Sequence, residues 1–233
     1  MKLRRAFTLV ELLAVMAVIA VVIAFAVPAA TQIMRGSQLT QGSQQFADQI
    51  GFARQLAISR NHPIEVRFYK FSDPETPGES VSQPKLGKWR AFQLFEQLEN
   101  GAVVPAGPMH RLPRVVIMDG DKYSTLISER FRGQPLDASD DPTSPELPVE
   151  VGQQKVARSY QFVKFRFLPD GSTDLPPRAK EGQTGTSDSN DDSWYITLVN
   201  LSDENKEIST VNYFTLQVDS ISGSIKSYRP NAG

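Results

Sequence analysis

Very few side chains in this sequence have a type and spacing suited to chemistry. There is no cysteine, which removes thiolate catalysis and disulfides together. The two histidines, His62 and His110, stand apart. One precedes a proline, the other sits in a proline-rich stretch, and neither has a carboxylate at ligand spacing. No phosphate-cradling glycine loop, zinc spacing or nucleophile elbow occurs. These exclusions point to a protein that is not an enzyme and has no resident cofactor. Asp188, Asp191 and Asp192 form an oxygen-rich group that could hold Ca²⁺, but their spacing matches no EF-hand and reads as a solvated acidic loop. Arg54, Arg60, Arg67 and Lys70 could form a basic patch. With 25 basic against 26 acidic residues, the chain has no bulk attraction for nucleic acid.

One ionisable residue is out of place. Glu11 lies inside the run from Phe7 to Ala30, which carries no other charge; from Leu12 to Ala30 every residue is apolar except Pro28. As a helix this run is long enough to cross the hydrocarbon core of a bilayer. Lys2, Arg4 and Arg5 precede it, the placement that keeps the short end cytoplasmic and sends the rest across. An ordinary signal peptide cut near Ala29–Ala30 shares the basic start and apolar core. Such a peptide has no use for Glu11. A carboxylate at mid-membrane costs about 2.5–3.5 kcal/mol by insertion scales and usually has a partner.

The segment Arg4-Arg5-Ala6-Phe7-Thr8-Leu9-Val10-Glu11-Leu12-Leu13 closely resembles the signal of type IV pilins and type II secretion pseudopilins. The resemblance implies cleavage by a prepilin peptidase between Ala6 and Phe7, where the family usually has glycine before the cut, and N-methylation of Phe7. It implies that Glu11 of one subunit pairs with the amino group of a neighbour and sets the axial register of a filament. It also implies that Pro28 bends or locally melts the helix. The partners are then prepilin peptidase, other pilins, and inner-membrane lipid before assembly. The head is periplasmic and the filament lies in the periplasm or at the cell surface.

The elements that carry these residues follow from periodicity. Residues 1–6 are the leader and 7–30 the membrane or filament-core helix. Residues 31–62 continue the helix, because Leu39, Phe46, Ile50, Ala53 and Ala57 recur on one face. Gly36 and Gly42 weaken it and suggest a flexible junction. Asn61-His62-Pro63 stops it.

Residues 63–233 form the head. Strands are predicted over 64–71, 89–98, 160–168 and 193–199, with a short buried strand at 115–118 and a terminal hairpin over 212–218 and 224–228. Residues 72–87 and 101–113 read as loops, and 123–131 is ambiguous. Segments 132–158 and 172–192 read as mobile loops. The fold class is α+β, a long N-terminal helix on a mostly antiparallel β head.

Three head segments resemble the pseudopilin H and fimbrial T branch: Ala53-Arg54, Ala57 and Arg60; Phe167-Leu168-Pro169-Asp170-Gly171-Ser172; and Val218-Asp219 with Gly223-Ser224-Ile225. The ending, Phe214 to Asp219 and Tyr228-Arg229-Pro230, looks closest to the prepilin cassette protein D group of Verrucomicrobia-like bacteria. The function implied is a structural minor pilin or pseudopilin. A DNA-binding minor pilin is the alternative, and a membrane-tethered enzyme a third.

Overall fold

The computed structural model describes residues 9–73, 76, 78–79, 87–120, 123–145, 150–151, 154–155, 160–176, 194–204 and 206–230. Helix α1 spans Leu9–Arg60, 52 residues, or about 78 Å of helix. It is unbroken through Pro28, Gly36 and Gly42. A proline removes one backbone bond, and the turns on either side carry the helix on. Gly42 is also not a hinge. A Cβ there would lie 2.8 Å from Pro113 Cδ, so glycine lets the head approach the helix closely. The helix ends where Asn61 turns left-handed, at φ 55°, ahead of Pro63.

The strands follow as β1 (Ile64–Phe71), β2 (Lys88–Gln97), β3 (Val103–Pro105), β4 (His110–Arg111) and β5 (Val116–Asp119). After a one-turn helix α2 (Glu129–Arg132) come β6 (Leu136–Asp137), β7 (Glu150–Val151), β8 (Gln154–Lys155), β9 (Gln161–Phe167), β10 (Trp194–Asn200), β11 (Tyr213–Val218) and β12 (Ile225–Tyr228). The main sheet runs β12-β11-β10-β5-β2-β1-β9-β6, with β3 and β4 also on β2, and every described pairing is antiparallel. β5 meets β2 through a single pair, Trp89 with Met118.

Alternation along β1 sends its side chains to two cores. Ile64, Val66 and Phe68 face α1, where Leu39, Phe46, Ile50, Ala53 and Ala57 are all buried. Phe46 packs edge-on to Phe92 at 5.1 Å, and Phe68 stacks with Phe165 at 6.0 Å. Tyr69 and Phe71 point the other way, into a second cluster with Ala91, Phe95, Ala138, Tyr160 and Phe162. Both faces of this part of the sheet are therefore covered.

The cover on the second face comes partly from a segment expected to be a mobile insertion. Within 132–158, β6 pairs with β9, Ala138 is fully buried, and Tyr160 donates to the Pro145 carbonyl at 2.7 Å. The segment is shaped by aspartates rather than by apolar periodicity. Asp141 Oδ1 accepts from the amide and hydroxyl of Thr143 at 2.8 and 2.6 Å, a turn in which a side chain stands in for a backbone carbonyl. In the second expected mobile loop, Thr173 bridges Phe167 and Leu175 is buried, and residues 177–192 lie outside the described set. The expected loop 101–113 contains β3 and β4, pairings too short to show a period. Residues 123–128 are irregular because Ser124 and Thr125 bond to the backbone of β10 with their side chains, as acceptors from Thr197 and Tyr195 at 2.9 Å each.

Arg67 lies in the second core rather than in a surface patch. It has no exposure and bonds Glu65 at 2.5 Å and Thr143 at 2.8 Å, with Asp141 at 3.4 Å. Its guanidinium lies 4.2 Å from the Phe95 ring centre and 5.0 Å from that of Phe162. Removing one side of a buried ion pair leaves the other charge desolvated. Arg67→Ala should therefore lower stability by about 3–5 kcal/mol. Urea unfolding of the full chain in detergent measures this, and the double change Arg67→Met with Glu65→Gln should recover most of the loss.

Candidate assembly surface

The two halves of α1 have opposite surroundings. From Leu39 to Ala57 one face is sealed by the head. From Leu9 to Met34 the large apolar side chains stand exposed, Phe25 by 78% and Leu9 by 74%, and the most apolar window has none of its residues buried in the chain. This one helix is long and apolar enough to cross a membrane. An exposed apolar surface of this size needs a lipid or protein cover.

Glu11 sits in the first turn, exposed, and is the only ionisable residue between Leu9 and Met34. Its expected partner, the amino group of a processed Phe7, belongs to residues outside the described set, as does Ala6. Pro28 lies on the same helix inside the apolar half. The calcium candidates Asp188, Asp191 and Asp192 also lie outside the described residues. Among the described residues no group of three or more His, Cys, Asp or Glu is placed to hold a metal.

The arginines near the junction are structural fasteners and do not form a patch. Arg54 donates from Nε to the Gly171 carbonyl at 3.1 Å and from Nη2 to the Ser222 carbonyl at 3.0 Å. It thereby ties α1 to two turns that also touch each other, since Thr173 N donates to Ser220 O at 3.2 Å. Both turns need glycine. Gly171 has φ 84° and Gly223 φ 62°, and a Cβ on Gly223 would collide with the Gly171 carbonyl. Asp170 and Asp219 close the turns by accepting from the amides of Ser172 and Ser222 at 2.9 and 2.7 Å. The hydroxyl and then the amide of Ser172 hold the Asp170 carboxyl below the usual carboxylate range, and the amide and then the hydroxyl of Ser222 do the same for Asp219. The head segments around Arg54, Gly171 and Gly223 thus meet at a single point. Lys70 lies over the Trp89 ring at 6.0 Å.

The sequence reading missed Glu96. Its carboxylate receives His62 Nδ1 at 2.7 Å and Arg60 Nη1, so His62 does have an acidic neighbour, 34 residues away. A signal was present. Phe92 and Leu94 face the helix, and period two places Glu96 on that same buried face, where a carboxylate needs cations. His110 stacks on Phe92 at 5.4 Å and contacts Gln45 at 3.1 Å.

Comparison with known proteins adds two observations. Residues 1–27 match the family described as the prokaryotic N-terminal methylation motif. Two solved structures match at low similarity. The minor pseudopilin EpsH from the type 2 secretion system of Vibrio cholerae matches with a TM-score of 0.41 at 8% identity, over 83% of this chain and 98% of that one. The type IV minor pilin FimU of Pseudomonas aeruginosa matches with a TM-score of 0.37 at 12% identity, over 85% and 97%. No curated protein matches.

The Glu96 cluster makes a pH-dependent prediction. The bonds from His62 and then Arg60 hold the carboxyl below its usual 4.5. A carboxyl lowered in the folded state stabilises above its unfolded value, and that gain is lost as pH falls through the folded value. Glu96→Gln should lower the melting temperature at neutral pH by several degrees, since a charged hydrogen bond contributes about 1.5–3 kcal/mol. Thermal scans across acid pH should show the gap to wild type closing as pH falls below the carboxyl's usual 4.5 and on through its lowered folded value.

Proposed function

We propose that this chain is a minor pilin-like or pseudopilin-like subunit of a type II secretion or type IV pilus-like filament. The observation that carries the reading is continuity: the methylation motif at 1–27 runs directly into a helix that is bare over its apolar half and clasped by a β head over its other half. In this reading prepilin peptidase removes residues 1–6, Phe7 becomes the methylated N-terminus, and the apolar half of α1 rests in the inner membrane with the head in the periplasm. Assembly replaces lipid around that half with the helices of other pilins. No step requires a reacting group on the chain, so the role is structural.

Glu11 has a defined task here. A carboxylate in an apolar filament core is tolerable when paired with a cation, and the processed amino group of a neighbour supplies one. The pseudopilin H and fimbrial T branch, with the cassette protein D group, is the finer placement favoured by the convergent turns around Arg54. The DNA-uptake alternative draws no support from Arg54, Arg60 and Arg67, whose guanidiniums are engaged within the head.

Two measurements test the proposal. The intact mass of the protein from its native membrane should lack residues 1–6 and carry one added methyl group, whereas cleavage near Ala30 would refute it. Glu11→Ala should insert and be processed as well as wild type, yet cross-link far less to partner prepilins in membranes. Leaving the neighbour's ammonium buried without a partner costs about 3–5 kcal/mol.

A further inference from the structure

The end of the head from which α1 emerges carries four exposed arginines around the helix. Arg35 sits on the stripe that continues through Leu39, Gly42 and Phe46, one turn nearer the apolar half, and so lies beneath the head on its packing side. Arg111 and Arg114 flank Leu112-Pro113, the pair that meets Gly42. They are 45% and 59% exposed. Both reach Asp73, at 3.0 and 3.8 Å, whose carboxylate is turned inward with 5% exposure. Arg229, on the tail after β12, is exposed and donates to the Thr40 hydroxyl at 2.7 Å, a neutral partner. Nearby Arg90 and Lys88 pair with Glu79 and Glu204 respectively, whereas Arg111 and Arg114 share the single Asp73 carboxylate.

The axial positions matter. Thr40 and Gly42 lie six and eight residues past Met34, the end of the apolar half, or about 9 and 12 Å along the helix. The polar layer of a bilayer occupies about 5–8 Å on each side of its hydrocarbon core. With the hydrocarbon boundary at Met34, guanidiniums on long stems at these heights come within reach of the headgroup phosphates of the leaflet that α1 leaves. Arginine is suited to them, since its planar fork donates in pairs to phosphate oxygens.

We propose that Arg35, Arg111, Arg114 and Arg229 form a collar that docks the head onto anionic phospholipid headgroups while the helix is in the membrane. The occupant is the lipid surface into which the helix of the same chain inserts. This rests on the membrane-anchored reading above. The collar fixes the height and tilt of the head, and it lets go when the helix is drawn out of the leaflet. The overall charge of −1 makes the collar a local feature and not a reflection of a basic protein.

The absence of cysteine permits a clean test. The full chain carrying Ser227→Cys, on exposed β12, takes one fluorophore and is placed in nanodiscs containing an acceptor on the lipid headgroup. Discs of phosphatidylcholine alone are compared with discs that include phosphatidylglycerol. Energy transfer should be higher with phosphatidylglycerol and should fall to the neutral-lipid level at high salt. Each arginine lost should weaken the docked state about fivefold. The triple change of Arg111, Arg114 and Arg229 to Gln should abolish the lipid dependence, and the same three changed to Lys should keep most of it. Should the Gln triple fail to fold, Arg35→Gln, on the exposed stretch of helix, should still lower transfer. Equal transfer in both lipids, or lipid dependence untouched by Arg35→Gln and the triple, overturns the collar and leaves the anchoring reading intact. Failure to enter either disc overturns both.

Discussion

A single helix about 78 Å long must satisfy two surroundings, and the rest of the structure depends on how it divides them. Most surface helices are amphipathic around their circumference. This one is divided along its axis. Its first half is apolar all round, which water cannot accept, and its second half is apolar on one face only. The head cannot cover the first half, because its contacts begin near Leu39, where the stripe of Leu39, Phe46, Ile50, Ala53 and Ala57 starts. The apolar half must therefore find its cover outside the chain.

The head is built to hold the second half rigidly. Gly42 admits Pro113 against the helix, Arg54 grips two turns by their carbonyls, and Arg60 with His62 closes the far end onto Glu96. The opposite side of the sheet is sealed by the segment around Ala138 and by the buried Arg67 cluster. Thus both broad faces of β1 and β2 are closed off within the chain.

Much of this was legible in the residues. The helix, its stop at Asn61-His62-Pro63 and five of the longer strands follow from periods of 3.6 and two, because burial on one side imposes them. The turn at Asp170-Gly171 follows from the chemistry of those residues. What could not be read depends on partners distant in sequence. Arg67 looks like a surface cation until Glu65, Phe95, Phe162 and Asp141 surround it. Segment 132–145 looks solvated because its polar residues bond inward to their own backbone. Gly42 looks like a weak point until Pro113 occupies the space. Glu11 was conspicuous because a lone charge in an apolar run violates a rule that needs no tertiary knowledge.

The fasteners of the helix also impose an order of events. Arg54 is sealed by Ser222, 168 residues later, and Thr40 by Arg229, 189 residues later. The helix is made first and its last ties arrive with the final hairpin. Contacts so distant in sequence form slowly, since a long loop must close before they are gained. During synthesis the apolar half can enter a membrane while its head is still unfinished. A chain anchored in this way would be confined to a surface before it folds, its exposed strand edges waiting beside the bilayer for the C-terminal residues that complete them.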